Sequence, residues 1–125
     1  MGEGLPDRLP GWERARIARA KLSGYLLNPA VGGQKARDLS RFLGYGPGDA
    51  DRLHAELLAV VELFPVGATR PARHPPGGRR YTVDGVMSGP NGEHARVRTG
   101  WQVNAPGEDP YLVTAFLRGR LREGG

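Results

Sequence analysis

The chain has no cysteine. That absence excludes disulfides, thiolate zinc sites and a cysteine nucleophile. No run of about 18 apolar residues occurs, so the sequence predicts no membrane-spanning helix and no membrane partner. Residues 1–10 lack the apolar centre of a signal peptide, which predicts a cytoplasmic protein. Lysine is nearly missing: Lys21 and Lys35 are the only two among 18 basic residues. With 20 Gly and 11 Pro, this is the pattern of a GC-rich bacterial genome, where codon bias replaces lysine by arginine. Two lysines kept against that bias are candidates for function as well as for chance retention. Motif chemistry is also sparse. Gly32-Gly33-Gln34-Lys35 is too short for a phosphate loop, and dinucleotide-binding glycines are absent. The histidine and carboxylate spacings match no recognisable metal site, so neither a metal nor another cofactor is expected. Ser23, Ser40 and Ser88 lack the elbow context of a serine hydrolase.

What is present fits one domain over residues 1–125, with its core at about 10–118 and a charged, Gly-rich, frayed tail at 119–125. Such a length buries a sizeable core without staples. The net charge of +5 favours phosphate-rich or acidic partners. Trp12, Ala15, Ala18, Leu22 and Tyr25 recur every three or four residues, predicting an amphipathic helix over 10–27 that Asn28-Pro29 stops. Lys21 borders its apolar stripe. Residues 30–33 read as a loop. A second helix is predicted over 34–43, with Gly44 as its C-terminal cap and Lys35 in its first turn, where a cation opposes the helix dipole. Asp49 reads as the N-cap of a third helix over 50–63, on which His54 is a surface residue. Residues 65–78 form a long Pro- and Gly-rich connection carrying His74.

From Arg79 the period changes to two. A strand over 79–87 meets Gly89-Pro90-Asn91-Gly92, whose residues suit a three-residue hairpin loop. That loop sets a register in which paired numbers sum to about 182. Val83 then faces Thr99, Tyr81 faces Trp101, and these share an apolar face with Gly85, Met87, Ala95, Val97 and Val103. The other face carries Arg80, Thr82, Asp84, His94, Arg96, Arg98, Gln102 and Asn104, with Asp84 opposite Arg98 as a cross-strand ion pair. A last strand over 111–117 has Thr114 as its single polar centre. The fold class is therefore α+β: N-terminal helices on a C-terminal antiparallel meander of three strands, with a fourth to be sought in 64–72. The polar face reads either as an ordinary solvated sheet surface or as a holder of phosphate.

Several segments together carry a resemblance: residues 21–29, Gly33-Gln34-Lys35-Ala36, Phe42-Leu43-Gly44, residues 81–85, Gly89-Pro90-Asn91-Gly92, residues 97–101 and Leu112-Val113-Thr114-Ala115. Their order and spacing resemble an uncharacterised bacterial domain family over about residues 21–116. Its members occur beside a small partner gene or at the ends of large secreted proteins. That family is similar in layout to the ribonuclease group of barnase, EndoU, colicin-type tRNases and RelE. The resemblance implies a metal-independent ribonuclease toxin, with RNA (tRNA among the candidates) as substrate and a cognate acidic immunity or antitoxin protein as partner. It implies Lys35, Arg98 and Thr114 as catalytic residues. Arg80, Arg96, His94, Gln102 and Lys21 would bind RNA. The alternative is a basic, non-enzymatic module docking an acidic protein; a third, NAD cleavage or ADP-ribosyl transfer, would need a nucleotide pocket.

Overall fold

In the computed structural model, which describes residues 4–120, the helices come first and the sheet second. Helix α1 comprises Arg19–Lys21 and continues as the wider π turns of Leu22–Leu26; α2 is Pro29–Leu43 and α3 is Ala50–Leu63. Strands β1 (Val66–Pro71), β2 (Arg79–Ser88), β3 (His94–Val103) and β4 (Tyr111–Arg120) make one antiparallel sheet in chain order. The expected α+β layout holds, and β1 is the fourth strand sought in residues 64–72. No helix among the described residues is long and apolar enough to cross a membrane.

The single helix expected over 10–27 does not form. Gly11 is left-handed (φ 77) ahead of a 3-10 turn at Trp12–Arg14, and Ala15 is extended. The Arg16 N–H then donates to the Pro110 carbonyl at 2.9 Å, and the Leu112 N–H donates to the Arg16 carbonyl at 3.0 Å. This parallel bridge to the edge of β4 takes the backbone groups that a helix would have bonded internally. Leu9 and Ile17, both buried, anchor the segment on either side.

The loop expected over 30–33 is helical instead. Asn28 caps α2 by accepting the Ala30 N–H at 3.1 Å, and Pro29 follows at the first turn. The helix then kinks at Gly33 (φ 60, ψ −134) before continuing to Leu43. Gly44 closes it as expected, left-handed with its N–H on the Ser40 carbonyl at 2.9 Å. Asp49 departs from its expected role: its carboxylate accepts the Gly46 N–H at 2.8 Å and so closes the preceding turn, making no side-chain cap to α3. The α3 stripe of Leu53, Leu57, Val60 and Val61 is buried.

The β2–β3 register runs from Arg79 opposite Val103 to Ser88 opposite His94, so every pair sums to 182 as the turn chemistry requires. Val83, Met87, Ala95, Val97 and Trp101 pack against the helices, and Trp101 is wholly buried. Its indole N–H donates to Thr99 Oγ1 at 2.8 Å, and that hydroxyl donates to the Val83 carbonyl at 2.7 Å. The polar atoms buried with the tryptophan are thus satisfied. The hairpin loop also acts at long range. The Asn91 N–H and side-chain amide donate to the Leu43 and Phe42 carbonyls, both at 3.2 Å, completing the end of α2. Strand β4 is longer than expected: Gly119 pairs with Arg96 and Arg120 with Ala95, where a frayed tail was anticipated. Residues 1–3 and 121–125, including the rest of that tail, lie outside the described residues.

Candidate nucleic-acid interface

Helices cover one face of the sheet, and the other face is open. Residues directly opposite on antiparallel strands point to the same side, so the register defines rows across that open face. One row holds Arg70, Arg80, Gln102 and Tyr111; the next holds Ala68, Thr82, Gly100 and Thr114; a third holds Asp84, Arg98 and Phe116. The middle row is small, and the rows flanking it are basic and aromatic. The middle row, with Arg70 and Arg80 on one side and Arg98 and Phe116 on the other, lines a cleft of about 270 Å³.

At the β4 end of the middle row stands a group that chain order alone would not assemble. Lys35 Nζ donates to Thr114 Oγ1 at 2.7 Å, linking α2 to β4 across 79 positions. The same ammonium lies 5.7 Å from the Phe116 ring centre and 5.8 Å from that of Tyr25. Lys21 Nζ sits 5.0 Å from the Tyr25 ring. Both lysines of the chain therefore converge on one tyrosine, where the ring quadrupole attracts them. Gly100, opposite Thr114, leaves room beside the threonine methyl, because a Cβ there would approach Thr114 Cγ2 to 3.0 Å. A hydroxyl that accepts from an ammonium keeps its own proton and a second lone pair for a ligand. A cation beside a hydroxyl is a donor set for anions and not for a metal ion.

Arg98 occupies the adjacent row and is already engaged. Its Nε and Nη2 donate to the two oxygens of Asp84, both at 2.8 Å, so the cross-strand pair expected from the register is bidentate in the structure. Arg118 Nη1 lies 3.9 Å from Asp84 Oδ2. The Arg98 hydrogen bonds hold the Asp84 carboxyl below its usual range, and the same pairing raises the Arg98 guanidinium further. The pair is open to solvent, with side-chain exposures of 39% and 46%, so a ligand can reach it.

A family model of a domain of unknown function, DUF6883, matches residues 8–119. The chain belongs to this family. No curated protein and no solved structure matches it. The DUF6883 match begins beside buried Leu9, so the bridged N-terminal segment lies within the family's bounds.

The remaining candidates on this DUF6883 domain divide into near and far. Arg80 and Gln102 meet, with Arg80 Nε donating to Gln102 Oε1 at 2.8 Å, on the row beside the small one. Arg96 and His94 lie four and six positions along β3 from Gly100, about 13 and 20 Å away at the usual rise per residue. His94 pairs with Ser88 at the hairpin end, away from Lys35 and Thr114. Of the other histidines, His54 is on α3 and His74 is in the 72–78 connection, and among the described residues no three His, Asp or Glu side chains cluster as metal ligands. Reading the sequence missed Tyr25, Phe116, Arg70 and Arg118. Tyr25 stands four residues after Lys21, a spacing that pairs side chains on a helix. Arg70 lies on a short strand that Gly67 and Pro71 mask, within the residues where a fourth strand is sought but no site residue is expected.

Proposed function

We propose that this domain is a metal-independent endoribonuclease with Lys35 and Thr114 at its centre. The observation that carries the reading is the 2.7 Å contact of Lys35 Nζ with Thr114 Oγ1 at the end of an arginine-lined cleft. In such a site the nucleophile is the substrate's own 2′-hydroxyl, so the protein needs only to orient, neutralise and move protons. Thr114 accepts from the 2′-hydroxyl and aligns it with the phosphorus. The 2′-oxygen bonds to phosphorus as the 5′-oxygen leaves; the 2′ proton passes to solvent, and Lys35 gives a proton to the 5′-oxygen. Arg98 turns from Asp84 to the charge developing on the phosphorane. Arg80 and Lys21 bind flanking phosphates. A small acidic inhibitor protein fits the basic face, and on this reading free expression is toxic to the cell.

Purified protein is expected to cut RNA, with tRNA the first substrate to try, in excess EDTA, sparing DNA and leaving 2′,3′-cyclic phosphate ends. Lys35→Ala and Thr114→Val are each expected to lower the rate by about a hundredfold, equivalent to about 3 kcal/mol of transition-state stabilisation. Intact RNA across pH 5–9 with folded protein would overturn the reading. The second reading, a basic module that docks an acidic partner without catalysis, is favoured by one observation: Arg98 is committed to Asp84 at 2.8 Å. Binding of RNA or of an acidic protein with no cleavage would select it.

A further inference from the structure

The middle row of the open face consists of small residues on all four strands: Ala68, Thr82, Gly100 and Thr114 are successive partners. Arg70 and Arg80 rise on one side of it, Arg98 and Phe116 on the other. From these dimensions we infer that the trough is a subsite for one unstacked nucleotide of single-stranded RNA. The phosphate lies at the Lys35–Thr114 end and the base lies along the small row toward Ala68. The inference rests on the reading of this face as an RNA site and adds which form of RNA it takes.

The length fits. Strands lie about 4.8 Å apart, so Thr114 and Thr82, two strands away, are separated by about 10 Å. That is the reach of a nucleotide from its phosphorus to the far edge of its base. The depth fits as well, because large side chains flank residues that carry a single methyl, a methyl with a hydroxyl, or no side chain. A cleft of about 270 Å³ is near the lower end of small-ligand sites, the scale of one nucleoside. The walls are also of suitable chemistry: guanidinium planes and a phenyl ring stack on unstacked bases regardless of sequence. A base within an A-form duplex is stacked on both sides and cannot enter such a slot.

The test separates binding from cleavage by using a short 2′-O-methyl oligonucleotide, which has no free 2′-hydroxyl, and its blunt duplex. The single strand is expected to bind roughly tenfold tighter in fluorescence anisotropy, the size of one stacked base. Thr82→Leu, which fills the trough, should remove that preference while leaving duplex binding unchanged. Equal binding of strand and duplex, or an unaltered preference in Thr82→Leu, would overturn the inference even if the protein cuts RNA. Preferential, Thr82-sensitive binding without any cleavage of ordinary RNA would sustain it and sink the nuclease reading. Should Thr82→Leu melt early, titration of the wild type with adenosine 5′-monophosphate provides the second measurement. Amide shifts at residues 68, 82, 100 and 114 are expected, and shifts confined to other surfaces would overturn the subsite.

Discussion

Asp84 decides what Arg98 is free to do. Its carboxylate holds the guanidinium in the fork geometry that a phosphate would occupy, so it competes with any anion arriving in the cleft. Asp84→Asn is expected to raise affinity for single-stranded RNA several-fold and to steepen its salt dependence, since one more cation becomes available for phosphate. Anisotropy titrations at two salt concentrations check this. The same pair has a pH signature. Because the Asp84 carboxyl titrates below its usual 3.8 in the folded state, the pair's contribution is complete above that ordinary value and is lost as pH falls through the depressed one. Melting temperatures of wild type and Asp84→Asn should therefore converge on acidification below about pH 4. A constant gap down to pH 2 would contradict the linkage.

Among the elements, α2 does the most to build the site. Its N-cap, its kink and its glycine stop together set where Lys35 meets β4. Gly33 sits at φ 60, ψ −134, a conformation open to glycine and strained for other residues. Gly33→Ala is expected to destabilise the fold by about 1–3 kcal/mol in urea denaturation. It should also lengthen the Lys35–Thr114 contact, lowering RNA cleavage more than RNA binding. Gly32 has a separate reason to be small, since a Cβ there collides with the Tyr25 carbonyl. Gly32 lets the Leu22–Leu26 turns approach α2 closely, which helps to bring Tyr25 and Lys35 together.

The N-terminal segment and the hairpin hold the whole molecule together from opposite sides. Leu9 is fully buried, and the backbone at Arg16 extends the sheet at β4. Leu9→Ala is expected to cost about 2–5 kcal/mol in denaturant titration, as in other core truncations; a silent change would mean the segment is not part of the cooperative fold. On the other side, the Tyr45 hydroxyl donates to the Ser88 carbonyl at 2.7 Å, tying the end of α2 to β2. Burial, with the nearby Glu56 carboxylate, pushes its phenol up to about 12 from 10.0. The folded state keeps a proton that the unfolded chain releases, so stability falls as pH rises from about 10 to 12. This loss amounts to roughly 3 kcal/mol. Tyr45→Phe should show a shallower alkaline decline in melting temperature than wild type.

The local signals in this chain carried the hairpin completely. Residues 79–103 alternate with period two, and Pro90-Asn91-Gly92 admits one loop length, so the register and the Asp84–Arg98 pair follow from neighbouring residues alone. The apolar stripe of α3 and the Gly44 stop were legible for the same reason. The stripe at Trp12, Ala15 and Ala18 was equally regular and yet misled. Its side chains do face inward in part, but β4 captured the backbone of Arg16, and a partner about 95 residues away leaves no mark on local periodicity. The short β1 is masked by Gly67, Pro71 and the Pro- and Gly-rich residues that follow, and pairing with β2 makes it a strand. For the candidate site, scarcity singles out Lys35, polarity singles out Thr114, and the family resemblance groups them with Arg98 without giving their geometry. Their 2.7 Å contact exists because α2, kinked at Gly33, packs beside β4, and the packing of two elements so far apart in sequence is settled by burial of their shared core.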